Sequence, residues 1–200
     1  MPNHRGSPDA SITVGSPRCS RIWAIMSSSF MERQASSRWV NPPPASPVLR
    51  EDARREITRL RGELSLDFLA DMSVVDARRW LEELPGVGPK TSAATLLFSQ
   101  LRMPALPVDS HHHRVAQRLG LIPDSVDVGP AHAILEAQLP PALTAQEVYD
   151  NHEVLMLHGQ RCCYHRAPAC GRCVIFALCP TGQQLHPELV SPTVAEPRSA

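Results

Sequence analysis

The chain has 200 residues, 42% hydrophobic and 20% charged, which suits one or two domains of a folded, water-soluble protein. No apolar run approaches the roughly 18–20 residues of a membrane span, so a transmembrane protein is excluded; residues 22–26 are too short for a signal-peptide core, and a cytoplasmic protein with no membrane partner is expected. Twenty basic and twenty acidic residues cancel, so net charge names no partner, yet 19 of the 20 bases are arginine and Lys90 is the only lysine.

Residues 1–47 hold ten serines and seven prolines without an apolar stripe, which predicts a disordered arm. Ile57, Leu60 and Leu64 then recur at helical spacing among charges, predicting an amphipathic helix that ends near Gly62. Ser73 followed by Asp76 is a cap-like start for a second helix through Trp80 and Leu81. LPGVGPKTS at residues 84–92 breaks that helix, and an apolar helix resumes from Lys90 to Leu101. Asp109 or Ser110 can cap a helix closed by Gly120; Pro130 starts another, and Thr144 to Leu157 reads as the last long helix. Nothing alternates with strand periodicity, so the chain is expected to be all-α. The predicted division is an arm (1–47), a helical domain (48–140), a helix with a cysteine loop (141–180) and a flexible tail (181–200).

Cys163, Cys170, Cys173 and Cys179 follow the spacing C-x6-C-x2-C-x5-C, with Cys162 and Cys19 outside it. Thiolates packed so tightly repel one another unless cations neutralise them, so a metal centre is favoured over strained disulfides. The spacing leaves zinc and an iron–sulfur cluster both open. Using Cys162 would change the first gap, so it is read as a bystander. Arg161, Arg166 and Arg172 lie in this stretch with no acid among them, forming a local basic site.

In the Gly/Pro-rich hairpin, Gly86 and Gly88 permit a tight turn and close backbone approach, with Val87 between them. Amides at the start of the following helix then face outward, ready to hold an anion such as a DNA phosphate. The plain alternative is an ordinary helix connector. Nineteen residues after Lys90 comes VDSHHHRV at 108–115, in which Asp109 could be only a cap. Consecutive helical residues point about 100° apart, so the three histidines cannot converge on one metal. His112 and His113 are expected at the surface or facing DNA.

Together, LPGVGPKTS, VDSHHHRV and the four-cysteine loop closely resemble the endonuclease III family of helix–hairpin–helix DNA glycosylases, over residues 48–180. The resemblance implies an all-α helix–hairpin–helix glycosylase fold with a C-terminal iron–sulfur loop. It implies base-excision repair by a bifunctional glycosylase/AP lyase acting on damaged bases, oxidised pyrimidines foremost, and on abasic sites. By position, Lys90 matches the Schiff-base nucleophile and Asp109 the catalytic carboxylate, while Cys163, Cys170, Cys173 and Cys179 match the ligands of a 4Fe–4S cluster. Gly86, Val87, Gly88, Arg161, Arg166 and Arg172 are the expected DNA contacts, the partner is damaged double-stranded DNA, and a monomer is expected. An amine nucleophile must be neutral, which calls for burial or neighbouring positive charge. Residues 1–47 do not resemble the helices the family carries before the hairpin, so the N-terminal half of the helical domain is expected to be missing. The rival reading is a truncated, non-catalytic DNA-binding module that keeps the hairpin and the cluster.

Overall fold

The computed structural model describes Ala45, residues 49–140 and residues 142–190. The described residues contain the helices α1 (Glu51–Arg61), α2 (Val74–Glu82), α3 (Pro89–Phe98), α4 (Ser110–Arg118), α5 (Val128–Glu136), α6 (Ala145–Arg161) and α7 (Pro180–Leu185). Short 3-10 turns lie at Asp67–Asp71, Cys170–Arg172, Phe176–Leu178 and Pro187–Leu189, and no strand occurs among the described residues. The predicted arm lies outside the described residues except at Ala45, as do residues 191–200.

Cap chemistry sets most of the helix ends. Ser73 Oγ accepts from the Asp76 amide at 3.1 Å and donates to the Asp76 carboxylate at 2.7 Å. Thr144 and Glu147 form a full capping box at the head of α6, satisfying two amides that the helix itself leaves unpaired. At the other end of α1, Gly62 takes the left-handed conformation, φ 81°, and its amide reaches Thr58 C=O.

Two apolar clusters form the core, and α3 stands between them. Its sequence PKTSAATLLF has small or apolar side chains on nearly every face, the pattern of a helix buried all round. Leu96 enters the cluster of Ile57, Leu69, Leu81 and Leu84, whereas Leu97 enters that of Leu106, Leu119, Ile122 and Leu155. The hairpin at the head of α3 is therefore anchored to both halves of the core. Glu136 on α5 adds a polar clamp: it pairs with Arg78 of α2 and accepts the Leu106 amide at 2.8 Å.

Several expectations shift. The inward face of α1 is Ala53 and Ile57, while Leu60 is 52% exposed and Leu64, beyond the helix end, 36%. Helix α3 stops at Phe98, short of Leu101, and α5 begins at Val128, with Pro130 in its first turn, where a missing amide costs nothing. Residues 181–189, expected in the flexible tail, are instead mostly helical. Pro180 takes the first position of α7, and Cys179 Sγ caps it by accepting the Gly182 amide at 3.3 Å.

Candidate functional site

The hairpin joins α2 to α3 through a turn in which Gly86 adopts φ 74°, a conformation that would strain any L side chain. Val87 is buried beneath it, its amide returning to Leu84 C=O at 3.2 Å. Gly88 is the N-cap of α3, no side chain caps that helix, and a Cβ added at Gly88 would meet nothing within 4 Å. The first amides of α3 are thus left without a side-chain cap at the positive end of the helix dipole. Ser92 Oγ donates to Glu82 at 2.6 Å and ties the two helices together behind the turn. Lys90 is the second residue of α3, and its side chain is exposed, so burial does not enclose its amine.

Asp109 is the N-cap of α4, its Oδ1 accepting the His112 amide at 2.7 Å. The segment leading to it is fixed by a residue that sequence reading overlooked. His132 donates from Nδ1 to Val128 C=O at 2.9 Å and accepts the Val108 amide on Nε2 at 3.0 Å. Both bonds assign its tautomer and hold Val108 one residue before the carboxylate.

His112 is buried, not at the surface, and His113 is half-buried with Nε2 on Val126 C=O at 2.8 Å, so neither faces outward as expected. The His112 and His152 rings lie 5.7 Å apart, and neither Nδ1 has a hydrogen-bond partner among the described residues. Burial pushes both imidazoles below their ordinary 6.5, so both are neutral in the fold. The unfolded chain takes up these protons below about pH 6.5, so this contribution to stability is complete above that pH and is lost as pH falls. Each imidazole adds a slope of up to about 1.4 kcal/mol per pH unit. Replacing His112 by leucine is expected to raise stability by about 1–2 kcal/mol at pH 8, since it removes an unpaired buried polar atom. Urea unfolding at pH 8 and pH 5.5 should also show a shallower acid decline than in the parent.

The cysteine loop follows α6. Cys162, Cys163, Cys170, Cys173 and Cys179 all line one pocket, together with His158. Cys162 does not stand apart: its Sγ, that of Cys173 and a ring nitrogen of His158 lie within 4.8 Å of one another. These are donors able to hold a metal ion. Burial, against a bond from the Ile175 amide, pushes the Cys173 thiol up to about 12. Burial and neighbouring thiols push Cys170 and Cys179 upward as well. Arg118 of α4 braces the loop by donating to Cys163 Sγ at 3.2 Å, Tyr164 C=O at 2.6 Å and His165 C=O at 2.7 Å. Arg114, one turn earlier, reaches Cys163 C=O at 3.1 Å and Gly159 C=O at 2.8 Å. One helix of nine residues therefore carries Asp109 at its head and grips the cysteine loop at its foot. Gly159 permits this, since a Cβ there would come within 2.8 Å of His111 Cβ. Arg161, at the end of α6, and Arg166 and Arg172, on the loop, are all exposed, Arg172 being held by Arg161 C=O and the Tyr164 hydroxyl.

A hairpin between helices, a carboxylate heading the next helix but one and a cysteine loop after the last long helix are the features of the helix–hairpin–helix glycosylase fold. Over 84% of its length the chain matches a solved chain described as a non-covalent endonuclease III–DNA complex, at TM-score 0.54 and 17% identity, covering 98% of that chain. By sequence it is 38% identical over 106 residues to endonuclease III of Escherichia coli K12, 53% of this chain and 47% of that one. It is 29% identical over 114 residues to endonuclease III of Sulfolobus acidocaldarius, 57% of this chain and 49% of that one. The chain is thus related by sequence to endonuclease III, as its motifs imply, and spans about half the length of the curated relatives it matches. No family model matches it. None of the described helices is long and apolar enough to cross a membrane.

Proposed function

We propose that the chain acts in base-excision DNA repair as a glycosylase/AP lyase on damaged bases, oxidised pyrimidines foremost, and on abasic sites in double-stranded DNA. The observation that carries this reading is that Lys90 stands in the first turn of α3, directly after the hairpin, and Asp109 is the N-cap of α4, the positions that the motifs give to the nucleophile and the carboxylate. The hairpin amides grip a phosphate, and the exposed arginines of the cysteine loop add contacts that carry no sequence information. A damaged base stacks poorly and is cheaper to extrude from the duplex. The neutral Lys90 amine attacks the anomeric carbon of the flipped nucleotide, and the base departs with its bonding electrons and takes up a proton. The C1′–O4′ bond then opens, O4′ receives a proton from the amine, and the sugar stays joined to the enzyme as a protonated Schiff base. Asp109 stabilises the positive charge that develops on the sugar. β-Elimination from the Schiff base cuts the strand 3′ to the lesion.

Five thiols around one pocket form a donor set that fits a 4Fe–4S cluster, and Cys163, Cys170, Cys173 and Cys179 would hold it. When bound, the cluster supplies structural bonds that fix the loop and its arginines. Those arginines make the affinity depend on salt. A few phosphate contacts imply a log–log slope of roughly −3 to −5, and changing Arg161, Arg166 and Arg172 together to glutamine is expected to flatten it without altering sequence preference.

The direct assay is single-turnover cleavage of a duplex with one abasic site. The β-elimination product supports the enzyme reading. Binding without cleavage favours a DNA-binding module, a reading that draws on the half-length match to the relatives.

A further inference from the structure

The loop offers more donors than a four-ligand cluster can use. Cys163 occupies the first position of the C-x6-C-x2-C-x5-C pattern, where Arg118 donates to its Sγ at 3.2 Å. Cys162 precedes it as the cap residue ending α6, and its backbone C=O accepts the amides of Tyr164 and Ala169, at 3.0 and 2.9 Å. The chain therefore folds back around Cys162, and its thiol is turned into the pocket beside Cys173 and His158 instead of toward solvent. Adjacent residues usually point apart; here both residues of the pair line the same pocket.

From this geometry we infer that Cys162 is an alternate ligand, able to take the first cluster position when Cys163 does not. The inference rests on the cluster reading above. In the exchange, the Cys162 thiol gives its proton to solvent and its sulfur bonds the iron that Cys163 Sγ would hold. The ligand count stays at four and no electron is transferred. Cys170 and Cys179 have no cysteine next to them in sequence and are not among the donors grouped with Cys162, so neither has a substitute of this kind.

The test is anaerobic reconstitution of the full chain with iron and sulfide, comparing the parent with C162S, C163S, C170S and the C162S/C163S double variant. Iron and sulfide per chain and the electron paramagnetic resonance of the reduced cluster are the readouts. The parent and C162S are expected to hold about four irons. C163S is expected to hold about as many, with a shifted resonance, while C170S and the double variant lose the cluster. A parent that takes up iron beside a C163S chain that takes up no more than the double variant, whether folded and empty or unfolded, overturns this inference alone. A parent that takes up no iron overturns the cluster reading and this inference with it.

Discussion

Replacing Lys90 by glutamine is expected to abolish strand cleavage at abasic sites while leaving DNA binding in place. Lys90 is the only lysine, so no other side-chain amine can form the Schiff base. Glutamine has nearly the same helix propensity, so α3 and the hairpin should stand unchanged. The loss is one of chemistry, and cleavage should fall below detection in single-turnover assays. Binding to the same duplex should persist, with the salt slope altered by at most about one, the weight of a single charge contact. A variant that lost affinity together with cleavage would assign Lys90 to grip instead of to bond formation.

Asp109→Asn is expected to slow base release by about 10²–10³-fold, the usual loss when a preorganised group facing transition-state charge is removed. That corresponds to roughly 3–4 kcal/mol in the barrier. Asparagine is as good an N-cap as aspartate, so the bond from the His112 amide should survive and stability should change by only a few tenths of a kcal/mol. This separates two roles that coincide in one side chain. A rate within a few-fold of the parent, at unchanged stability, would reduce Asp109 to its cap. Comparing kcat and KM sharpens the result: a fall confined to kcat marks an interaction made in the transition state.

What was legible in the sequence was local. Ser73, Asp109 and Thr144 announce helix starts because a cap needs only a side-chain oxygen and an amide two or three residues on. Gly62 announces a helix end for the same reason. The hairpin could be read because its turn is made within six residues, and the apolar run after it marked α3 as a helix, while its place between two clusters shows only in the structure. The supports of the site were illegible because their partners are distant. His132 meets Val108 across 24 residues, and Arg114 meets Cys163 across 49. Nothing in a histidine or an arginine taken alone reveals such a partner. His112 went the other way: polarity placed it outside, but the α4 face it occupies packs on α6, and tertiary contact overrode composition. A spaced glycine inside α6 was the available hint, since Gly159 brings those helices together.

On the proposed function, the Lys90 amine bonds the sugar of damaged DNA and Asp109 stabilises the charge that develops there. Borohydride reduction of the reconstituted chain mixed with abasic-site duplex, followed by proteolysis and mass spectrometry of the linked peptide, tests it most directly. A single covalent adduct is expected, mapped to Lys90 and absent from Lys90→Gln. An adduct on the N-terminal amine, or no adduct from a chain that binds the duplex, would contradict it.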